Sequence, residues 1–300
     1  MAQHNGFGNY TDLALALRAV WTKQFVLNSP VMPLYNVASS GGAAERTRGL
    51  EGLESWAESN GPINWDEFSE GDLKTFTHDT FKKGIRITRE EMDDNQVNLM
   101  QNKVRLLAES GTRTIAEHMA SPFANAFATN GNGSKAADGL ALCSAAAGRT
   151  AGKKNLANKG TTALDAAAVK ATRTLMRKFK DSRGAVLNVM PDTLVVPVDL
   201  EEDAYVIAES TLKSGTANND ANINLNRLNV IVDPFLTDAN DWFMVDSRLA
   251  RLHLNWFWRV MPEFVEDPAS QFNDELRMRG YMRYSYGADA SYWIYGHQVS

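Results

Sequence analysis

Residues 88–128, TREEMDDNQVNLMQNKVRLLAESGTRTIAEHMASPFANAFA, carry the longest helical pattern in the chain. Thr88 with Glu91 has the T-x-x-E form of a capping box, in which hydroxyl and carboxylate each satisfy an orphan amide of the first turn. Behind it Met92, Leu99, Met100, Val104, Leu107, Ala108, Gly111, Ile115, Met119 and Phe123 lay an apolar stripe along one side of a helix. Gly111 sits in that stripe, where a missing side chain admits another backbone. The cluster Asp93-Asp94-Asn95 and Pro122 are the two places where the segment can break. Even about 28 uninterrupted residues span about 42 Å. A compact chain of this length has a radius of gyration of about 19 Å. A helix that crosses so much of the molecule implies a flat or elongated subunit, the shape that tiles.

The 300 residues, 44 % hydrophobic and 22 % charged, suit one large or two modest folded domains. A net charge of −5 lacks the basic signature of a dedicated nucleic-acid binder. The single cysteine, Cys143, excludes an intramolecular disulfide and reads as a small buried hydrophobe in a reducing compartment. No apolar run reaches the roughly 18–20 residues of a membrane span, and the first residues lack the pattern of a secretory signal.

In chain order, residues 1–10 read as a loose arm. Thr11 or Asp12 caps an amphipathic helix to about Leu27, carrying Leu13, Leu17, Val20 and Trp21 on one side. That side docks either on a neighbouring subunit or on its own domain. Ser39-Ser40-Gly41-Gly42 marks a joint. Residues 43–87 are punctuated by glycines and carry Trp56, Trp65, Phe68, Phe76 and Phe81 with no helical period. They read as a long hairpin, and isolated hairpins are marginal in water. Residues 161–180 are a second helix capped by Thr161 or Thr162, with Arg177, Lys178 and Lys180 at its carbonyl end. Strands are expected at 185–189, 194–196, 228–232 and 242–245, a helix at 199–210, and a strand-rich aromatic run at 249–260. From 272 to 286 the even positions Phe272, Leu276, Met278, Met282, Tyr284 and Tyr286 alternate with Glu275, Arg277, Arg279 and Arg283. That period of two makes a strand of about 40 Å.

Catalytic signatures are missing: no phosphate-binding glycine loop, nucleophile elbow or H-E-x-x-H occurs, and one Cys with five scattered His gives no zinc spacing. Asp199, Glu201, Glu202 and Asp203 read as a helix start, and Asp233, Asp238 and Asp241 lack the spacing of a calcium loop. His118, His253, and the run Trp256-Phe257-Trp258 read as core or interface, and the arginine row as a solvated or ion-paired face. No catalytic, cofactor-binding or metal-binding residue is assigned, and the chain is read as a non-enzyme.

The order of arm, aromatic hairpin, spine-like helix, mixed segment and long last strand resembles the major capsid proteins of tailed bacteriophages, the Hong Kong 97 type fold shared with encapsulins. Residues 188–210, NVMPDTLVVPVDLEEDAYVIAES, are similar to the "P-x-x-L-V-V-P-x-x-L-E-x-x-A" unit of Mu-like major head subunits. Pro191, Leu194, Val195, Val196, Pro197, Leu200, Glu201 and Ala204 fit it. The likeness is close from about 164 to 286, whereas the first ninety residues match in type and not in letters.

The resemblance implies an α+β fold with an N-arm at 1–42, an E-loop at 43–87 and a P domain with the spine helix at 88–160. An A domain would follow at 161–258, with a return to the P domain at 259–300. It implies self-assembly as hexamers and pentamers into an icosahedral shell enclosing double-stranded DNA, in the virion after assembly in a bacterial cytoplasm. Trp56, Trp65, Phe76, Phe81 and Trp21 would make inter-subunit contacts, and the N-arm would cross to a neighbour. Scaffold or protease would be separate proteins, or a scaffold region would already have been removed, since the hairpin starts near residue 43. A portal and a decoration protein would be further partners, packaged DNA would be held non-specifically, and no membrane is involved. The alternative is an encapsulin-like compartment enclosing protein cargo.

Overall fold

The computed structural model describes residues 10–50, 70–94, 96–130, 133–145, 157–181, 184–211, 227–267 and 275–299, and positions 58, 61, 63, 65, 222, 224 and 225. The readings of 1–9 as an arm and of Trp56 as a contact lie outside them. The chain runs α1 (Tyr10–Gln24), β1 (Asn36–Ser39), β2 (Ala44–Leu50), β3 (Glu70–Thr77), β4 (Asp79–Thr88), α2 (Arg89–Asp93) and α3 (Val97–Ala124). It continues with β5 (Lys159–Gly160), α4 (Ala166–Met176), β6 (Thr193–Val196), α5 (Glu201–Glu209), β7 (Asn229–Val232) and β8 (Trp242–Val245). Last come α6 (Ser247–His253), β9 (Leu254–Glu266), β10 (Glu275–Ala288) and β11 (Ile294–His297).

The period-two stretch forms the 14-residue β10, whose Leu276, Met278, Met282 and Tyr284 are buried as the alternation requires. It is central in a sheet of order β1-β9-β10-β4, antiparallel to both β9 and β4. Helix α3 spans about 42 Å beside it and joins two cores. Met100, Val104, Leu107 and Ala108 pack with Ile87, Leu276 and Met278, while Ile115, Met119 and Phe123 belong to a larger core around a second sheet. That sheet, β5-β11-β8-β6-β7, is covered in part by α4 and α5. The P-x-x-L-V-V-P unit supplies β6, buried throughout, then α5 with Ala204 fully buried.

Several expectations are corrected. The capping box exists, with Glu91 N donating to Thr88 Oγ1 and Thr88 N to Glu91 Oε2, but it caps the single turn α2. The long helix starts afresh at Val97, after the acidic break, and Lys103 Nζ clamps the two by donating to both Glu91 oxygens at 2.5 and 2.7 Å. Pro122 does not end the helix at once: it falls in the last turn, which closes two residues later at Ala124. Gly111 faces an aromatic ring, not a backbone: a Cβ there would stand 2.9 Å from Phe25 Cε2.

Residues 247–253 are helical, because the Asp246 side chain accepts from Leu249 N and caps α6, so the aromatic strand begins at Leu254. Asp165, not Thr161 or Thr162, caps the second helix by accepting from Ala168 N at 2.5 Å. The strand expected at 185–189 is reduced to an isolated bridge between Lys180 and Val186.

Domain limits shift as well. β1 lies within the expected arm yet pairs with β9, and β9 starts inside the expected A domain yet belongs to the β10 sheet. β11, expected to return to the P domain, pairs with β8 in the second sheet. Within the expected hairpin, β2 pairs with β3, whereas β4 leaves to pair with β10.

Candidate assembly surfaces

Strands β2 and β3 make a two-stranded ribbon of their own, with Glu45 opposite Phe76, Thr47 opposite Lys74 and Arg48 opposite Leu73. Of the eight residues of β3, Phe76 alone is buried. Charged side chains on both edges, including an Arg48–Glu70 ion pair, keep the ribbon in register without a core beneath it. Where it meets the body, Phe76 packs edge-on against Phe257 at 5.3 Å, and Lys74 Nζ donates to the carbonyl of Lys135 at 2.9 Å. Burial, together with nearby Lys135, lowers the Lys74 pKa. Beyond the ribbon, Ile63 and Trp65 are 70 % and 84 % exposed. Residues 51–70 hold six carboxylates, Glu51, Glu54, Glu58, Asp66, Glu67 and Glu70, and no lysine or arginine. An aromatic segment of this charge repels its own copies and favours a basic surface.

The sequence-derived contact residues therefore divide. Trp65 is open to a neighbour. Phe76 is 3 % exposed and already packed by its own chain, which leaves it no face for another subunit. Trp21 is likewise 7 % exposed, stacked on Phe264 with ring centroids 4.9 Å apart. The α1 face carrying Leu13, Ala14, Leu17 and Trp21 closes over Met100, Val104 and Leu107 of the same chain. Of the two readings of α1, docking on a neighbour or on its own domain, the packing supports the second, since the helix spends its apolar side at home. Phe81 is half-buried, stacked on Tyr284 at 4.7 Å. It lines a cavity of about 300 Å³ with Phe25, Leu107, Gly111, Tyr281 and Lys83.

His118, His253 and His297 are each held by partners within the chain. Tyr284 Oη lies 2.6 Å from His118 Nδ1, and burial lowers the pKa of this imidazole and raises that of the phenol. His297 stacks on Trp242 at 4.0 Å, accepts from Thr162 N at Nδ1 and so presents Nε2–H to Thr172 Oγ1. Burial pushes its pKa down to about 4. His253, unpaired in the sequence reading, stands between Asp289 at 2.7 Å and Tyr292 Oη at 2.5 Å. That row looks like a proton relay, but burial raises Tyr292 to about 12, so it stays a phenol and not a nucleophile. The spacing of 36 and 39 residues left no sequence signal for it.

Of the arginine row, Arg277 pairs with Glu275 at 3.1 Å, Arg279 is exposed, and Arg283 Nε is buried without a hydrogen-bond partner. Trp256 and Trp258 are core, as is Cys143. Among the described residues no group of three or more His, Cys, Asp or Glu could hold a metal ion, and no helix is long and apolar enough to cross a membrane.

No curated protein sequence matches the chain. Solved structures do match in fold. The capsid of the native GTA particle superposes with a TM-score of 0.58 at 12 % identity, covering 92 % of each chain. A solved chain of Microbacterium phage Oxtober96 gives 0.55 at 11 % identity over 91 % of each. The capsid protein of bacteriophage JBD30, decorated with minor capsid protein trimers, gives 0.51 at 15 % identity over 71 % of this chain and 92 % of that one. A virus-like particle from Pyrococcus furiosus also matches, with a TM-score of 0.50 at 12 % identity over 95 % and 98 %. The architecture is the α+β, Hong Kong 97 type capsid fold. A family model described as phage capsid protein covers residues 72–295, from the third strand to the last. With that match over about three quarters of its length, the chain belongs to the phage capsid protein family.

Proposed function

We propose that the protein is the major head subunit of a tailed bacteriophage, assembling as hexamers and pentamers into an icosahedral shell around double-stranded DNA. One observation carries the reading. Of the eight residues of β3 Phe76 alone is buried, and beyond the ribbon Ile63 and Trp65 stand 70 % and 84 % exposed, apolar surface that neighbouring copies in a shell would cover. A subunit held by several neighbours at once needs no single tight contact.

In this reading the β2–β3 ribbon and the segment between its strands form the E-loop, laid over an adjoining subunit so that Trp65 is buried there. The β10 sheet with α3 is the P domain, and the five-stranded sheet is the A domain, meeting its copies at the capsomer axis. Scaffold or protease, portal and a decoration protein are partners supplied as separate chains; the trimers on the JBD30 capsid are a precedent for the last. The particle would be built in the bacterial cytoplasm and would hold its DNA without sequence preference.

A second reading, an encapsulin-like compartment for protein cargo, is favoured by one feature: an amphipathic N-terminal helix, α1, docked on its own α3. Negative-stain microscopy of the full chain, expressed with and without a co-expressed scaffold, tests both. Closed shells with nuclease-protected DNA support the first reading, shells filled with an enzyme support the second, and a dispersed monomer contradicts both.

A further inference from the structure

The last turn of α4 carries Arg173, half-buried, and Arg177 follows four residues on along the same side, exposed. Arg173 Nη1 donates to Oδ1 of Asn224, in the stretch before β7, at 3.1 Å. That stretch is firmly held. Asn224 N donates to Oδ1 of Asn222, and Asn222 Nδ2 donates to the carbonyls of Ile207 and Ser210 at the end of α5, both at 2.9 Å. Arg227 N donates to the carbonyl of Asn224 at 3.0 Å, which brings a third arginine, exposed, to the same corner.

The other edge of the Arg173 guanidinium is unanswered. Nε and Nη2 are both buried, and neither has a hydrogen-bond partner among the described residues. These two nitrogens present their hydrogens side by side, the fork with which an arginine grips two oxygens of one carboxylate or phosphate. Because Nη1 is tied to Asn224, the plane of the fork is set before anything enters it. Sealing cationic donors from water with no acceptor costs their full desolvation. Burial is accordingly the largest influence on Arg173 and lowers its pKa, and the charges of Arg177 and Arg227 press the same way. Orphaned donors of this kind mark the place of a water or an ion. A water can accept from both nitrogens but brings no charge, whereas three guanidinium groups at one corner call for a negative one. Arg177 and Arg227 come to that corner on long exposed side chains, which can part to admit an anion and close on it.

We infer that Arg173, Arg177 and Arg227 form a binding site for a phosphate group, gripped side-on by Nε and Nη2 of Arg173 and covered by the other two guanidinium groups. Charge favours phosphate over carboxylate: a phosphate monoester is close to doubly negative at neutral pH and offers three acceptor oxygens. Bound there, it ties the last turn of α4 to the stretch before β7 and braces the five-stranded sheet from one side. Inorganic phosphate and the phosphate of a nucleotide present this same chemistry. The site lies within one chain and does not depend on the shell reading.

Thermal melts of the full chain at fixed ionic strength, with chloride as the balancing anion, read the site. The probes are inorganic phosphate and a nucleoside 5′-monophosphate, with the bare nucleoside as control. For an affinity on the order of 1 mM, about 20 mM phosphate should raise the melting temperature by about 3–5 °C, and the nucleoside should not move it. A monophosphate that acts at lower concentration than inorganic phosphate identifies a nucleotide as the occupant, and equal potency identifies free phosphate. Arg173→Lys keeps the charge without the fork and should lose most of the rise, each variant being compared with its own phosphate-free melt. The general stabilisation by phosphate salts, which works by exclusion from the surface, survives that substitution and is subtracted by it. Arg227→Gln removes one exposed arm and should need about tenfold more phosphate for the same rise. A parent chain that phosphate raises no more than it raises Arg173→Lys overturns the site, as does a rise that Arg177→Gln and Arg227→Gln both leave unchanged.

Discussion

Strands β6 and β8 are buried at every residue, whereas β3 buries one residue in eight. Both are short, both are regular, and both belong to one chain. The sheet holds Trp242, Phe243, Leu194 and Val195 in a core that Phe123 of the long helix also enters, so its shape follows from apolar area removed from water. The ribbon meets the body at Phe76 and Lys74 and leaves Leu73, Ile63 and Trp65 to solvent. A region built like the first is complete alone. One built like the second has its reason in something outside the chain, which the proposed function makes the other subunits of a shell.

That contrast can be broken by substitution, and the largest effect belongs to the sheet. Trp242→Ala removes a fully buried indole that stacks on His297 and donates to the Thr162 carbonyl. Its cost is about 3–5 kcal/mol, a large part of the stability of a typical domain, so urea melts should show the subunit mostly unfolded or its midpoint sharply lowered. Phe76→Ala comes next. Losing about 3 kcal/mol at the joint should free the ribbon, not the sheet. Tryptic cleavage at Arg46 and Arg48 should then quicken on the order of a hundredfold while the main melting transition hardly moves.

Acid has a smaller effect, and it falls on the body. His118 and His297 are both held neutral by burial, His297 with a pKa of about 4. The unfolded chain binds their protons first, so the stability they confer is full above the ordinary value of 6.5 and drains as pH falls from there towards about 4 for His297. A loss on the order of 1–3 kcal/mol between neutral pH and that point should appear in urea midpoints, and Thr172→Val should not remove the slope. The smallest effect on the subunit is that of Trp65→Ala, within about 0.5 kcal/mol in urea melts. Its effect on particle yield should nevertheless be the clearest of all, a loss of closed shells in negative stain.

The same contrast explains what the amino-acid sequence disclosed. Regions whose pattern is set by their own core were legible: the alternation of Leu276, Met278, Met282 and Tyr284, the stripe from Met100 to Phe123, and the buried Leu194-Val195-Val196. Errors came where a local signal was outweighed. The aromatic run after residue 253 drew the strand too far back over α6, although Asp246-Ser247 is a good helix start. Tertiary partners were not legible at all. Nothing local says that Gly111 receives Phe25, or that Ser40, His78 and Ser285 meet across 38 and 207 residues. Nor does an amphipathic α1 announce whether its face turns inward or to a neighbour, and it turns inward.

Hydrogen exchange, compared between dispersed subunits and assembled particles, tests the central claim most directly. Amides of β6 and β8 should be equally protected in both states. Those of β2 and β3 should exchange quickly in the subunit and slow by at least about a hundredfold in the particle. A ribbon already as protected in the lone subunit as the sheet is, or one that assembly leaves unchanged, would contradict the account.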